Sequence, residues 1–339
     1  MISLPSFSRE EEQVANLIRN FLDSEKIAFC TKDNNTWIKN RYWSEGKPVL
    51  FLDSHIDTVK PSAGWTKDPF KAEIEGDKLY GLGSNDAGAS VITLMAAFME
   101  LYNRDDLPFN MIYAASAEEE ISGPKGMRSL LPELGKIDLA VIGEPTQMQL
   151  AIAEKGLMVL DCTAHGKSGH AARDEGENAL YKAIDDINKI RTFDFPKVSQ
   201  TLGKVKLSVT LINAGTQHNV VPDSCTFVID VRTNEHYSNK EAFDIIGQLI
   251  NSEVQARSFH LNSSGISEDH ILVKKAKELG LNCFGSPTTS DQAVIPFPSV
   301  KIGPGKSSRS HSADEYICFS EIEEGFETYL KLLDNLIIK

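Results

Sequence analysis

The chain has no bilayer-length hydrophobic run, no paired-cysteine motif, no basic stripe and no Gly/Ser linker, and each absence excludes something. Its longest apolar runs, such as Pro48-Val-Leu-Phe-Leu52, are strand-sized and far short of the roughly 18 to 20 residues that span a membrane, so no membrane span or membrane partner is expected. The five cysteines, Cys30, Cys162, Cys225, Cys283 and Cys318, are scattered, odd in number and free of any CxxC pair. That argues against a disulfide framework or a cysteine zinc knot and for a reducing cytoplasm. Lys and Arg total 35 against 48 Asp and Glu, a net charge of -13, and such a field repels a phosphate backbone, so nucleic acid is not an expected partner. The amino terminus, Met1-Ile-Ser-Leu-Pro-Ser-Phe-Ser-Arg-Glu10, turns charged before a signal-peptide apolar region forms, so export is not indicated.

What is present is ordinary globular material. The 339 residues are 41% hydrophobic and 24% charged, enough for two domains, with no internal repeat. Ser8 and Glu11 have capping-box spacing before Val14, Leu17, Ile18, Phe21 and Leu22, which predicts a first helix. Apolar runs at Val49 to Leu52, Met111 to Ala115 and Leu139 to Ile142, with an apolar helix from Ala89 to Leu101, predict an α/β layer whose strands are buried on both faces. From about Gly156 the pattern changes. A strand from Leu157 to Ala164, a helix from Asn178, alternating strands at Val205 to Leu211 and Cys225 to Val231, a helix from Asn239 to Val254 and a strand near Ser258 to Leu261 give a β-α-β-β-α-β order, the ferredoxin-like α+β unit. The expected division is therefore 1-155 and 264-339 for a discontinuous α/β domain, with 156-263 inserted into it.

Five acidic or imidazole clusters fall at or after predicted strand ends, where open α/β sheets place ligands. They are His55 and Asp57 at i and i+2, Asp86 in Gly81-Leu-Gly83-Ser-Asn-Asp86-Ala-Gly88, the run Glu118-Glu119-Glu120, Glu144 after Gly143, and His311 with Asp314 and Glu315. Taken singly, each has a plain reading as a loop pair, a helix N-cap, a solvated acidic turn or an exposed histidine. Together they supply imidazole and carboxylate donors suited to a pair of cations such as zinc.

In chain order the segments HIDTV (55-59), GLGSNDAG (81-88), AEEE (117-120), GEPT (143-146), GKSGHAA (166-172), GTQHNVVPD (215-223) and SRSHSADE (308-315) resemble the M20 family of dinuclear zinc aminoacylases and peptidases, most closely its acetylornithine deacetylase branch. The resemblance covers nearly the whole chain and implies a zinc-peptidase-like catalytic domain whose insert, 156-263, is a lid and dimerisation domain. It implies that His55 and Glu144 bind one zinc, Glu120 and His311 the other, and that Asp86 bridges them, with cobalt or manganese as possible substitutes. Glu119 then falls on the general-base position, Asp57 on the carboxylate that orients His55, and His170 on a histidine that reaches the partner protomer's active site. Asn219, Arg232, Thr289 and Ser290 resemble substrate-binding positions. The implied activity is removal of the acyl group from a small N-acyl amino acid, Nα-acetyl-L-ornithine first, by a cytoplasmic homodimer of arginine biosynthesis. N-succinylornithine, N-acetylcitrulline, succinyl-diaminopimelate, a dipeptide or a carrier-protein lysine amide stand as alternative substrates, and a metal-free binding protein as the remaining rival. Common relatives carry Asp-Met-Lys-Gly where this chain has Asp86-Ala-Gly88, and a proline where it has Arg173-Asp174, which leaves acyl specificity open.

Overall fold

Three apolar strands, Val49–His55, Asn110–Ser116 and Leu139–Ile142, lie side by side in parallel, and every residue in them is buried. Period-two alternation sends their side chains to two separate cores. Leu50, Leu52, Met111, Tyr113 and Val141 enter one, while Phe51, Ile112, Ala114 and Ala140 enter the other. The first core is covered by the helices Glu12–Ser24, Ala89–Leu101 and Phe319–Leu333, and the second by Met127–Leu134. Ala89–Leu101 is apolar on nearly all sides because it is buried on nearly all sides. Its Phe98 is fully buried, which stabilises the fold by roughly 1.5–3 kcal/mol, and Phe98→Ala would cost about 3–5 kcal/mol because a cavity is added.

The computed structural model describes residues 1–338. Among them the main sheet is mixed, in the order Cys30–Lys32, Asn35–Lys39, Asn110–Ser116, Val49–His55, Leu139–Ile142, Ser299–Lys301, Leu150–Glu154 and Ser264–Gly265, with Cys283–Ser286 also paired to Leu150–Glu154. The chain divides into two compact units: Met1–Ile152 with Gly265–Phe284 and the chain from Ser290 onward, and Ala153–Ser264 with Gly285–Thr289. These boundaries lie three residues before and one residue after those read from the sequence, and the short segment 285–289 joins the second unit. No helix of the described residues is long and apolar enough to cross a membrane.

The second unit is a four-stranded antiparallel sheet in the order Lys206–Ala214, Ser224–Arg232, Met158–His165, Glu253–Ala256. In chain order this is 2-3-1-4, the ferredoxin-like arrangement, with the helices Ala179–Thr192 and Asn239–Leu249 packed on it. Ser238 and Glu241 form a reciprocal capping box at the second helix. That helix stops at Leu249, short of the expected Val254, and the last strand is Glu253–Ala256, not 258–261.

The capping box expected at Ser8 does not form. The first helix starts at Glu12 with no side-chain cap. Ser8 instead donates to Asp57 Oδ2 at 2.7 Å, and Glu11 is fully buried with partners far along the chain.

Candidate metal centre

Strand register delivers the first site residues. His55 pairs with Ser116 and Asp53 with Ile142. The residues that follow, Asp57, Ala117 to Glu120 and Gly143-Glu144, therefore leave the sheet together at its carboxyl edge. Gly143 is required there by space: a Cβ would lie 2.6 Å from Leu94 Cδ1 and 2.9 Å from Ser90 Cβ. Gly83 is required by conformation, since its φ of 71° starts the turn Ser84–Gly88 that presents Asp86.

His55 is buried and puts Nε2 3.2 Å from Asp86 Oδ1 and 3.7 Å from Glu144 Oε1. Its other nitrogen, Nδ1, lies 2.9 Å from the Asp57 carbonyl oxygen and 3.4 Å from Asp57 Oδ1. His311 sets Nε2 2.9 Å from Glu120 Oε2 and 3.7 Å from Asp86 Oδ2. Two groups of three result, His55 with Asp86 and Glu144, and Asp86 with Glu120 and His311, the donor atoms of each lying within 4.8 Å of one another. Asp86 belongs to both and turns one oxygen toward each histidine. One imidazole nitrogen and two carboxylates per group is a donor set that zinc, cobalt and manganese accept.

The electrostatics fit cations at the same place. Burial pushes Glu144 up to about 8, with repulsion from Asp86 and Glu120 adding to it. Burial also raises Glu119 well above the ordinary carboxylate value, reinforced by the charges of Glu144, Asp291 and Glu120. For His55, burial favours the neutral ring, but hydrogen bonds to Asp57 and Asp86 and the charges of Glu119 and Glu144 win and raise it well above 6.5. The Glu120 hydrogen bond lifts His311 to about 9. Glu119 and Glu144 thus favour their protonated forms until a positive centre is present, whereas Asp86, despite its burial, is held below the ordinary range by its bonds to His55 and Ser310 and the charge of His311.

The acidic loop is fixed through its backbone. Four consecutive N–H groups donate to side chains: Ala117 to Asn35 Oδ1 at 2.9 Å, Glu118 to Glu11 Oε1 at 3.3 Å, Glu119 to Asp57 Oδ1 at 3.0 Å and Glu120 to Asp57 Oδ2 at 3.2 Å. Within the run of three glutamates, Glu120 meets His311, whereas Glu118 turns away into a buried site and accepts the Lys125 N–H at 3.0 Å. Burial would raise Asp57, but bonds from His55, Ser8 and the Glu119 backbone outweigh it and hold its carboxyl below the ordinary range.

The second unit holds four of the expected residues by itself. His170 is exposed and its Nδ1 accepts the Ala172 N–H at 3.1 Å, which leaves the proton of the neutral ring on Nε2. Asn219 is exposed, and its carbonyl accepts the Ala171 N–H at 3.0 Å, tying the two loops together. Arg232 is gripped along one edge by Asp230, with Nε to Oδ1 at 2.9 Å and Nη2 to Oδ2 at 3.1 Å, while Nη1 donates to Thr289 Oγ1 at 3.3 Å. Ser290 lies in the first unit, buried, where its side chain accepts the Gln292 N–H at 3.3 Å at the start of the turn Asp291–Val294.

The family model for peptidase family M20/M25/M40 matches residues 51–335. This chain belongs to that family. Similar proteins include a succinyl-diaminopimelate desuccinylase of Xylella fastidiosa, 25% identical over 99% of this chain and 97% of its own length, and one from a Wolbachia of Brugia malayi, 27% identical over 96% and 87%. A peptidase M20 domain-containing protein of Schizosaccharomyces pombe is 24% identical over 98% of this chain and 82% of its own. Among solved structures, an M20 metallo-carboxypeptidase of Sulfolobus solfataricus has a TM-score of 0.78 at 16% identity, over 100% of this chain and 98% of that one. A dinuclear metal-binding M20 peptidase of Bacillus subtilis has a TM-score of 0.72 at 18% identity, over 100% and 96%.

As an M20 protein the chain is a metal-dependent amidohydrolase with the family's α/β fold. The acetylornithine branch to which its motifs were assigned is not represented among these relatives. Residues that sequence reasoning did not bring to the site are Ser8, Glu11 and Asn35, which hold Asp57 and the acidic loop, and, within the second unit, Asp230 on Arg232; Glu315, already seen in the His311 cluster, accepts the N–H groups of Gly83, Asn85 and Asp86 at 3.0, 2.8 and 2.9 Å. Only Asp230 carried a local signal, since i and i+2 share a strand face.

Proposed function

We propose that this M20 enzyme hydrolyses the amide of an N-acyl amino acid with two divalent cations, one held by His55 and Glu144, the other by Glu120 and His311, with Asp86 shared. The observation that carries the reading is the pair of three-donor groups that meet at Asp86. When bound, such a pair polarises the amide carbonyl and acidifies water. Glu119 takes a proton from water and passes it to the departing amine, a task that suits a carboxylate whose proton affinity burial has raised. Asp57 keeps His55 turned so that Nε2 faces Asp86 and Glu144. His170, with its proton on Nε2, is a donor for the oxyanion of the partner protomer's substrate. Arg232, held along one edge by Asp230 and through Nη1 by Thr289, keeps further N–H donors on Nη1 and Nη2 for a substrate carboxylate, and Asn219 and Ser290 complete the substrate contacts.

The homodimer runs through the inserted unit. Its edge strand Lys206–Ala214 exposes Leu211 at 64% and Ile212 at 50%, and the helix Ala179–Thr192 exposes Tyr181 at 67%, an apolar surface that a second copy covers. Five free cysteines suit a cytoplasmic site of action.

Two acyl groups compete. The motif set supports acetyl, with Nα-acetyl-L-ornithine as substrate and ornithine and acetate as products. The desuccinylases that match end to end support succinyl-diaminopimelate as the second reading. Zinc-reconstituted protein, with EDTA-treated and Glu119→Gln controls, is assayed for amine release from both compounds. Metal-dependent release from one, at least tenfold above the other, assigns the acyl group; release from neither sinks both of these substrates and turns attention to N-succinylornithine, N-acetylcitrulline and dipeptides.

A further inference from the structure

Ser6, Phe7, Ser8 and Glu11, ahead of the span that the family model matches, contact the segments that carry Asp57 and the acidic loop. Residues 6–8 run beside 56–58 and hold them at three points. Ser6 Oγ donates to the Ile56 carbonyl at 2.8 Å, the Thr58 N–H donates to the Ser6 carbonyl at 2.8 Å, and Phe7 forms a parallel bridge with Thr58. Between them Ser8 Oγ donates to Asp57 Oδ2 at 2.7 Å, the shortest of the bonds that this carboxylate accepts. Three residues on, Glu11 is fully buried and uses Oε1 for the N–H groups of Arg9 at 2.6 Å and Glu118 at 3.3 Å, and Oε2 for Asn34 Nδ2 at 2.7 Å.

We infer that Ser8 and Glu11 are positioning residues of the metal centre, setting through Asp57 and the Glu118 backbone the orientation of His55 and of the loop that carries Glu119 and Glu120. The argument is one of degrees of freedom. A carboxylate turns about its Cβ–Cγ bond, and Asp57 serves its partners only in one orientation, with Oδ1 toward His55 Nδ1 and the Glu119 N–H and Oδ2 toward the Glu120 N–H. The Ser8 hydroxyl donates to Oδ2 from another element and so selects that orientation. Glu11 does the same one residue earlier in the loop. Without these two side chains the loop hangs on Asn35 and on an Asp57 that has lost its shortest bond and keeps only those to His55 and to the loop itself, and a shift of well under 1 Å at Glu119 is enough to slow catalysis. Ser6 is the built-in comparison, because its hydroxyl reaches a carbonyl and touches neither carboxylate.

This inference rests on the two-cation reading, and its test separates the two. Cobalt(II) is titrated into metal-free protein, and the visible absorption spectrum and stoichiometry are read with no substrate present. Catalysis is then measured on whichever acyl amino acid the unsubstituted enzyme cleaves. Ser8→Ala is expected to alter the cobalt spectrum and lower kcat by about tenfold, with KM unchanged and two ions still bound. Ser8→Thr, which keeps the hydroxyl, restores both, and Glu11→Gln gives a smaller loss in kcat because one oxygen remains to accept the Glu118 N–H. Ser6→Ala lowers Tm without changing the spectrum. A Ser8→Ala protein with an unaltered spectrum and kcat overturns the inference, as does one whose losses match those of Ser6→Ala. Failure of the unsubstituted chain to take up cobalt overturns the two-cation reading and this inference with it.

Discussion

The buried carboxylate of Glu315 holds the backbone of Asp86: it accepts the Asp86 N–H at 2.9 Å along with those of Gly83 and Asn85, while the Glu315 carbonyl accepts the Gly81 N–H at 3.0 Å. A glutamate that faces three N–H groups cannot become an amide without turning a second donor toward one of them. Glu315→Gln is therefore expected to weaken cobalt or zinc binding by about 10- to 100-fold, through displacement of the carboxylate shared by both cation sites. Competition against a chelator of known affinity reads this directly. Unchanged affinity would make Glu315 a fold residue only.

Acidity gives a second expectation. In the metal-free chain Glu144 stands at about 8 against an ordinary 4.5, and His311 at about 9 against 6.5. Both groups hold protons in the folded state that the unfolded chain has already released, so metal-free stability falls as pH rises from 4.5 to 8 for the one and from 6.5 to 9 for the other. Cations need the same groups deprotonated, so their affinity climbs over that range. The Tm gap between zinc-loaded and metal-free protein is expected to widen from about pH 5.5 to about pH 8.5, and a gap that stays constant excludes this account.

Glu119→Gln keeps the backbone N–H that anchors the residue and removes the proton acceptor. It is expected to lower kcat by at least about a hundredfold with both cations retained. Elemental analysis alongside kinetics checks it. Loss of metal in step with activity would instead make Glu119 a ligand.

The proposed dimer and the trans role of His170 are testable together. Glu119→Gln and His170→Ala proteins, each inactive, are expected to regain activity when unfolded together and refolded as mixed dimers, since one of the two sites then carries neither defect. Leu211→Asp places a charge on the exposed edge strand and is expected to give monomers by light scattering, with activity lost. Active monomers would sink both points.

How legible all this was depended on sequence range. The helix Ala89–Leu101 and the strand Leu139–Ile142 fall where periodicity puts them, because buried elements write their environment into apolar composition. The site clusters were visible because parallel strands end together and their following residues carry the chemistry. Ser8 and Glu11 were misread for the opposite reason. Their spacing satisfies a local capping rule, but partners 49 and 107 residues away, Asp57 and Glu118, compete for the same oxygens and win. Residues 285–289 belong to the second unit for a similar reason: the Lys155 N–H bonds to the Ser286 carbonyl at 3.0 Å, and Thr289 Oγ1 bonds to the Lys155 carbonyl at 3.1 Å, pairings that no local pattern announces.

The loop from Ala117 to Glu120 is anchored by four main-chain N–H groups, which every residue except proline supplies. Its position is thus largely independent of the side chains it displays. Evolution or design can rewrite what positions 119 and 120 present to the substrate without rebuilding the support beneath them. A proline at Glu119 or Glu120 would remove an anchoring N–H that every other substitution there keeps.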